Sequence, residues 1–374
     1  MMQMRFLPPL LLICGAVFAL CSAGCLEGIP FLGPPAVYPH IVPIEGGTMP
    51  EPPRYTFAFQ DRNVEVDAPV EAPVYAGARA TDKSARIFDR ALTEPQWREG
   101  IYRALISDPA QDALYTGVLS TMKAEQHLNG LDSDEYAELL AVFVQSIPYE
   151  NQNLTSPRYP IETYVDRMGD CDDKSLFLAG LLSREGYRTA LLYFEPERHM
   201  AVGVGCPERG YRNTGYAYIE TTNVSLVGIP PETLAGGTVL SSLPVVIPVG
   251  NGMLNYTLCN ETSAIWRLKG DSEQILARIE TEVRDMETRL EEKKGVLDAR
   301  KSSLEAFLSV GDTGGYNRGV AAYNAEVSQY NQMRADLLTR VDRFNRIAEV
   351  HNFIVTSQHD RKGIWEWYVT FPGL

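Results

Sequence analysis

The sequence predicts an α+β domain followed by a long antiparallel coiled-coil helical hairpin. Three observations carry that expectation. Apolar residues recur at helical spacing from Ser84 to Gln145. Short apolar runs of strand character follow, from Thr189 to Phe194, His199 to Val204, Tyr216 to Thr222 and Val245 to Ile247. From about Ser272 a seven-residue apolar repeat begins, stops at a glycine-rich break and resumes.

A chain of 374 residues holds one large or two ordinary domains. Its formal net charge of −14, with no Lys/Arg-rich block, argues against a nucleic-acid partner, which needs a concentrated basic surface. Residues 1–25 read as a signal peptide: Arg5 is the only charge, and an apolar stretch from Leu7 to Leu20 leads to small residues. Ala23-Gly24-Cys25 resembles a lipobox, with Ser22 where leucine is usual. Cleavage there would leave Cys25 as a lipidated N-terminus. Simple secretion and an uncleaved anchor are the alternatives, and all three place the rest of the chain outside. The expected location is the extracellular face of the cell membrane, with the lipid anchor as the membrane contact. Asn153, Asn223, Asn255 and Asn260 each open an Asn-X-Ser/Thr sequon, a weak sign of the same location.

Residues 26–54 are rich in proline and glycine and read as a tether. Tyr55 to Phe59 and Val64 to Val66 alternate like a hairpin around Asp61-Arg62-Asn63. Helical stripes then start at Ile87, Phe88, Ala91 and Leu92, and continue through Ile101, Leu105 and Ile106. Further stripes follow at Leu114, Val118, Leu119 and Met122, and at Tyr136, Leu139, Leu140, Phe143 and Val144, the last capped by Asp132-Ser133. Pro148 ends that helix. The globular domain is expected over 55–268.

The repeat over 272–352 places Leu276, Ile279, Val283, Met286, Leu290, Leu297, Leu304 and Phe307 on one stripe, with Lys293 and Arg300 interrupting it. It resumes at Tyr316, Val320, Tyr323, Val327, Tyr330, Leu337, Val341 and Phe344. Two arms around Gly311-Asp312-Thr313-Gly314-Gly315 predict a hairpin with arms on the order of 50 Å. Its tyrosines read as seam packing. The hairpin is also the place for a protein partner or self-association. The tail, 353–374, carries Trp365, Trp367, Tyr368 and Phe371 and is expected to return to the core as a strand.

The chemistry concentrates at Gly169-Asp170-Cys171-Asp172-Asp173-Lys174-Ser175, which opens an apolar helical run. A helix start favours a thiolate, although the flanking acids oppose it. A cysteine nucleophile needs a base, and the base needs an orienting partner. Among His40, His127, His199, His351 and His359, only His199 opens a core strand. Glu220, late in the next strand, can set a carboxylate beside that imidazole. A lone cysteine in an apolar helix is ordinarily inert core, and a lone strand histidine ordinarily structural; the flanking motif and the order of the three tip the reading. A cation site at Asp170, Asp172 and Asp173 lacks the EF-hand pattern, so no metal and no cofactor are expected. Asp173 and Lys174 read as capping and local pairing.

These residues resemble the transglutaminase-like superfamily over about Ile147 to Asn223. The resemblance implies a papain-like α+β core with Cys171 as nucleophile, His199 as base and Glu220 as the acid, where the family usually has Asp. It also implies an oxyanion hole at the Cys171 backbone N–H, with Gln152 or Tyr149 as second donor. If Cys25 carries lipid and Cys171 is catalytic, Cys206 and Cys259 remain as a disulfide pair or as two buried thiols. The function this implies is cleavage or transfer of amide bonds in extracellular or envelope proteins or peptides through a Cys171 thioester. The alternative is a catalytically silent scaffold that docks a partner through the hairpin.

Overall fold

The computed structural model describes residues 34–150, 156–208, 210–234 and 237–370. The leader, Cys25 and Gln152 lie outside them. The chain divides into two compact units, Met1–Ser263 and Ala264–Leu374. The first mixes helices with small antiparallel sheets, and the second is helical.

In chain order the first unit contains β1 (Ala36–Val37), β2 (Arg54–Phe59), β3 (Arg62–Asp67), α1 (Ala72–Ala80), β4 (Arg86–Ile87) and α2 (Glu94–Ser107). Then come α3 (Asp112–Asn129), α4 (Ser133–Ser146), α5 (Pro160–Asp166) and α6 (Cys171–Arg184). Strands β5 (Thr189–Phe194), β6 (His199–Gly205), β7 (Tyr216–Ile219) and β8 (Val245–Val249) follow. These four strands form one antiparallel sheet in the order β7-β6-β5-β8. Pro248 in β8 has no N–H to give and is tolerated because β8 is an edge strand.

Helix α6 is the hub. Leu176, Phe177, Leu178, Ala179, Leu181 and Leu182 are all fully buried, so this helix is enclosed on every side. It packs on β5 and β6 and against α2, α4 and α5. Phe177 and Phe143 of α4 meet edge-on at 5.9 Å, and Tyr164 and Tyr55 extend the cluster. The β2–β3 hairpin thus faces the core with Tyr55, Phe57, Phe59, Val64 and Val66. Its turn lies at Gln60-Asp61, one residue earlier than the expected Asp61-Arg62-Asn63, with Gln60 at φ 53°.

Two expectations for this unit need correction, and one helix was not foreseen. The tether is pinned from Ala36 on: β1 pairs with β4, and the Ile41 N–H donates to Asp108 at 2.6 Å. The Ile87-to-Leu92 stripe is not helical. Ile87 pairs with Ala36, Phe88 is exposed, and the helix starts only at Glu94, where Thr93 and Gln96 form a capping box. Helix α1, with Pro73 in its first turn, was not expected at all.

The second unit holds most of α7 (Cys259–Ser309), with α8 (Thr313–Thr356) and α9 (Arg361–Thr370). Ile279, Leu290, Leu297 and Leu304 are buried along the α7 stripe. Lys293 and Arg300 sit on that stripe with polar partners across it, Gln329 at 3.2 Å and Glu326 at 3.1 Å. Glu282 meets Arg340 and Ser272 meets His351, so partners on α8 step backwards as α7 advances, and the arms run antiparallel. Helices of 51 and 44 residues make the arms longer than expected, about 77 and 66 Å. Gly311, at φ +78°, makes the turn, and Asp312 accepts the Gly315 N–H at 2.7 Å to start α8. The tail is a helix in this unit, not a strand: Asp360 accepts the Gly363 N–H, and Trp367 packs on Phe353 at 5.5 Å.

Candidate active site

Asp170 sets the start of α6. Its carboxylate accepts the N–H groups of Asp172 (3.0 Å) and Asp173 (3.2 Å), and Asp173 returns the bond by accepting the Asp170 N–H. That cap uses the Asp172 and Asp173 N–H groups and not the Cys171 N–H, the first of the helix. Gly169 is required here, because a Cβ on it would come within 2.8 Å of the Asp173 Cβ. Asp173 also accepts the Arg158 N–H at 2.7 Å, which ties the α5 approach to the helix.

Cys171 is half-buried, and its thiol donates to Asp172 Oδ1 at 3.6 Å. Burial, then the charges of Asp172 and Asp170, push the thiol well above its ordinary value; the Met200 N–H, which reaches the sulfur, opposes them. Asp172 is itself pushed up to about 6 by burial and by Asp170, against the pull of Cys171 and His199. Ser175, one turn on, donates to the Met200 carbonyl at 3.2 Å and meets Thr221 at 3.1 Å. The helix start is thereby fastened to β6 and to the segment after β7.

Strand alternation puts Met200 on the α6 side of the sheet and His199 on the other, with Ala201 and Tyr218. The sulfur therefore approaches β6 from one side, and the imidazole leaves it one residue earlier from the opposite side. His199 Nε2 lies 3.0 Å from the Tyr218 hydroxyl and 3.5 Å from Glu220 Oε2. Phe194 flanks the ring at 6.1 Å. Glu220 follows the last residue of β7. Its Oε1 accepts from the Thr221 N–H, the Thr222 N–H and the Thr222 hydroxyl, and its Oε2 from Tyr218 at 2.7 Å. Burial pushes this carboxyl upward, but the neighbouring His199 and the Thr222 donors hold it at about 2.

The structure thus gathers His199 and Glu220 directly, and brings Cys171 to the residue after His199. Tyr149 is half-buried and its backbone bridges Gly169, two residues before Cys171; burial, then the Cys171, Asp170 and Asp172 charges, push its phenol up. Lys174 does not pair locally. It is fully buried, and its Nζ donates to the carbonyls of Gln145 (3.1 Å) and Ile147 (2.5 Å) at the end of α4. Gln145 in turn donates to the Glu220 carbonyl at 2.7 Å and the Ser225 carbonyl at 3.0 Å. Sequence reasoning missed Gln145, Tyr218 and Thr222, and only the strand position of Tyr218 hinted at a role. Cys206 and Cys259 are joined by a disulfide, with Cα atoms 6.7 Å apart. Among the described residues no three His, Cys, Asp or Glu side chains gather as metal ligands, and no helix is long and apolar enough to cross a membrane.

No family model, curated protein or solved structure matches this chain.

Proposed function

We propose that this chain is an exported, transglutaminase-like cysteine enzyme with a papain-like core, acting on amide bonds of extracellular or envelope proteins or peptides. The observation that carries the reading is the buried pair of His199, which opens β6, and Glu220, with the Cys171 helix fastened one residue further along β6 by the bond from Ser175 to the Met200 carbonyl. A nucleophile on a helix start, packed against an antiparallel sheet that supplies base and acid, is the arrangement such a core requires. In the free enzyme the thiol faces Asp172 while the imidazole leaves β6 from the opposite side, so the reaction requires substrate to draw the two together before the proton passes to His199 Nδ1. The sulfur attacks the carbonyl carbon, and the oxygen takes the negative charge beside the Cys171 N–H. Collapse breaks the C–N bond, and His199 returns the proton to the leaving amine. Water then resolves the thioester; a second amine would make the reaction a transfer. The Cys206–Cys259 disulfide supports an oxidising location.

A second reading, a silent scaffold working through the hairpin, draws support from the burial and the flanking acids that hold the thiol protonated. Iodoacetamide labelling of the full chain separates the two. The enzyme reading expects Cys171 to label near neutral pH and His199→Ala to abolish it. Labelling only above about pH 8, unchanged by that substitution, rejects the enzyme.

A further inference from the structure

His199, Tyr218 and Glu220 are all buried, and their two short contacts admit one arrangement of protons. An ionised Glu220 only accepts, and the Tyr218 hydroxyl has a single proton to give. The 2.7 Å contact between that hydroxyl and Glu220 Oε2 has the length of a charge-assisted O–H···O bond, so the proton lies there. Burial, then the Glu220 charge, push the Tyr218 phenol well above its ordinary value, so it keeps this proton. At 3.0 Å from His199 Nε2 the same oxygen then accepts, and only an Nε2–H can fill the contact. The reverse assignment, Tyr218 donating to a bare Nε2, would face two oxygens with no proton between them at 2.7 Å. Nε2 itself lies 3.5 Å from Oε2, too far for the carboxylate to act alone.

We propose that Tyr218 is a positioning residue: its hydroxyl transmits the pull of Glu220 to the imidazole, holds His199 as the Nε2–H tautomer, and leaves Nδ1 as the basic nitrogen. The catalytic consequence rests on the enzyme reading above; the tautomer does not.

The test is nitrogen NMR of full-length protein labelled at histidine, assigned with His199→Gln, at a pH where the ring is neutral. The wild-type ring should show a protonated Nε2 and a bare Nδ1. Tyr218→Phe, which keeps the buried ring, should give a mixture of tautomers and slow Cys171 alkylation roughly tenfold. A wild-type ring protonated at Nδ1 overturns the proposal without any variant, as does a Tyr218→Phe ring identical to wild type. A tautomer shift with alkylation indifferent to both Tyr218→Phe and His199→Ala upholds the relay and removes the enzyme.

Discussion

The Lys174 ammonium donates to the Ile147 carbonyl at the end of α4, 27 residues earlier in the chain, and both residues are buried. A helix C-terminus carries unpaired carbonyls and partial negative charge, so an amine there is well placed. Its carbonyl partner Gln145 also anchors Glu220, so Lys174 underpins the acid of the site from below.

Replacing Lys174 by Met leaves two buried carbonyls without a donor and should cost roughly 2–4 kcal/mol. The pH dependence carries a sharper signature. Burial pulls this amine down to about 7, with Glu220 opposing, whereas an unfolded lysine stays protonated to about 10.4. Between these values the unfolded chain binds the extra proton, so stability rises with pH, by at most about 1.4 kcal/mol per unit. Urea unfolding of wild type and Lys174→Met at pH 7 and 9 should show the gap between them widening. A constant gap would mean that Lys174 keeps its charge throughout.

Asp172 shifts the other way. Its folded value of about 6 lies above the unfolded 3.9, so the folded chain holds the extra proton between them. Its contribution to stability is therefore greatest near pH 4 and is lost as pH rises through 6. Asp172→Asn should flatten that window. It also removes the carboxylate that the Cys171 thiol faces at 3.6 Å, and alkylation of Cys171 at pH 7 should quicken roughly tenfold. Slower alkylation in Asp172→Asn would assign the carboxylate a helping role and reverse this account.

The start of α6 and the heptads were legible because their signals are local. Asp170 caps N–H groups two and three residues away, and the stripe from Ile279 to Leu304 repeats along one helix. Even the interruptions at Lys293 and Arg300 have their cause within the hairpin, where Gln329 and Glu326 answer them. What escaped depends on contacts between distant segments. Gln145 meets Glu220 across 75 residues, and nothing in the α4 pattern separates it from any other buried helical position. Tyr218 looks like a core aromatic until the register of β6 with β7 sets its hydroxyl beside an imidazole 19 residues earlier. The tail misled for another reason. Its tryptophans and tyrosine suit strands, but Asp360 caps a helix and Phe353 offers Trp367 a surface within the same unit.

The Cys206–Cys259 bond joins the residue after β6 to the first residue of α7, across a separation of 53 residues. Closing a loop of that length removes chain entropy from the unfolded state worth about 4 kcal/mol on the loop-closure estimate. Reduction should therefore lower the urea midpoint of the transition that reports on the β5–β8 sheet, and Cys206→Ser/Cys259→Ser should reproduce that shift without reductant. Because β6 also carries His199, at its opposite end, the same treatment tests whether the bond matters to the site. Strand β6 is buried along its length, and His199–Val204 pair with β5 and Val202–Gly205 with β7, so the strand itself should hold. Cys171 alkylation in the folded double variant should stay within about twofold of wild type, since the cap at Asp170 and the bonds of Ser175 are independent of the disulfide. Mass spectrometry of the non-reduced protein gives the decisive check: a free, alkylatable Cys206 in the native chain, or a midpoint indifferent to reductant, would remove the bond from the account of stability.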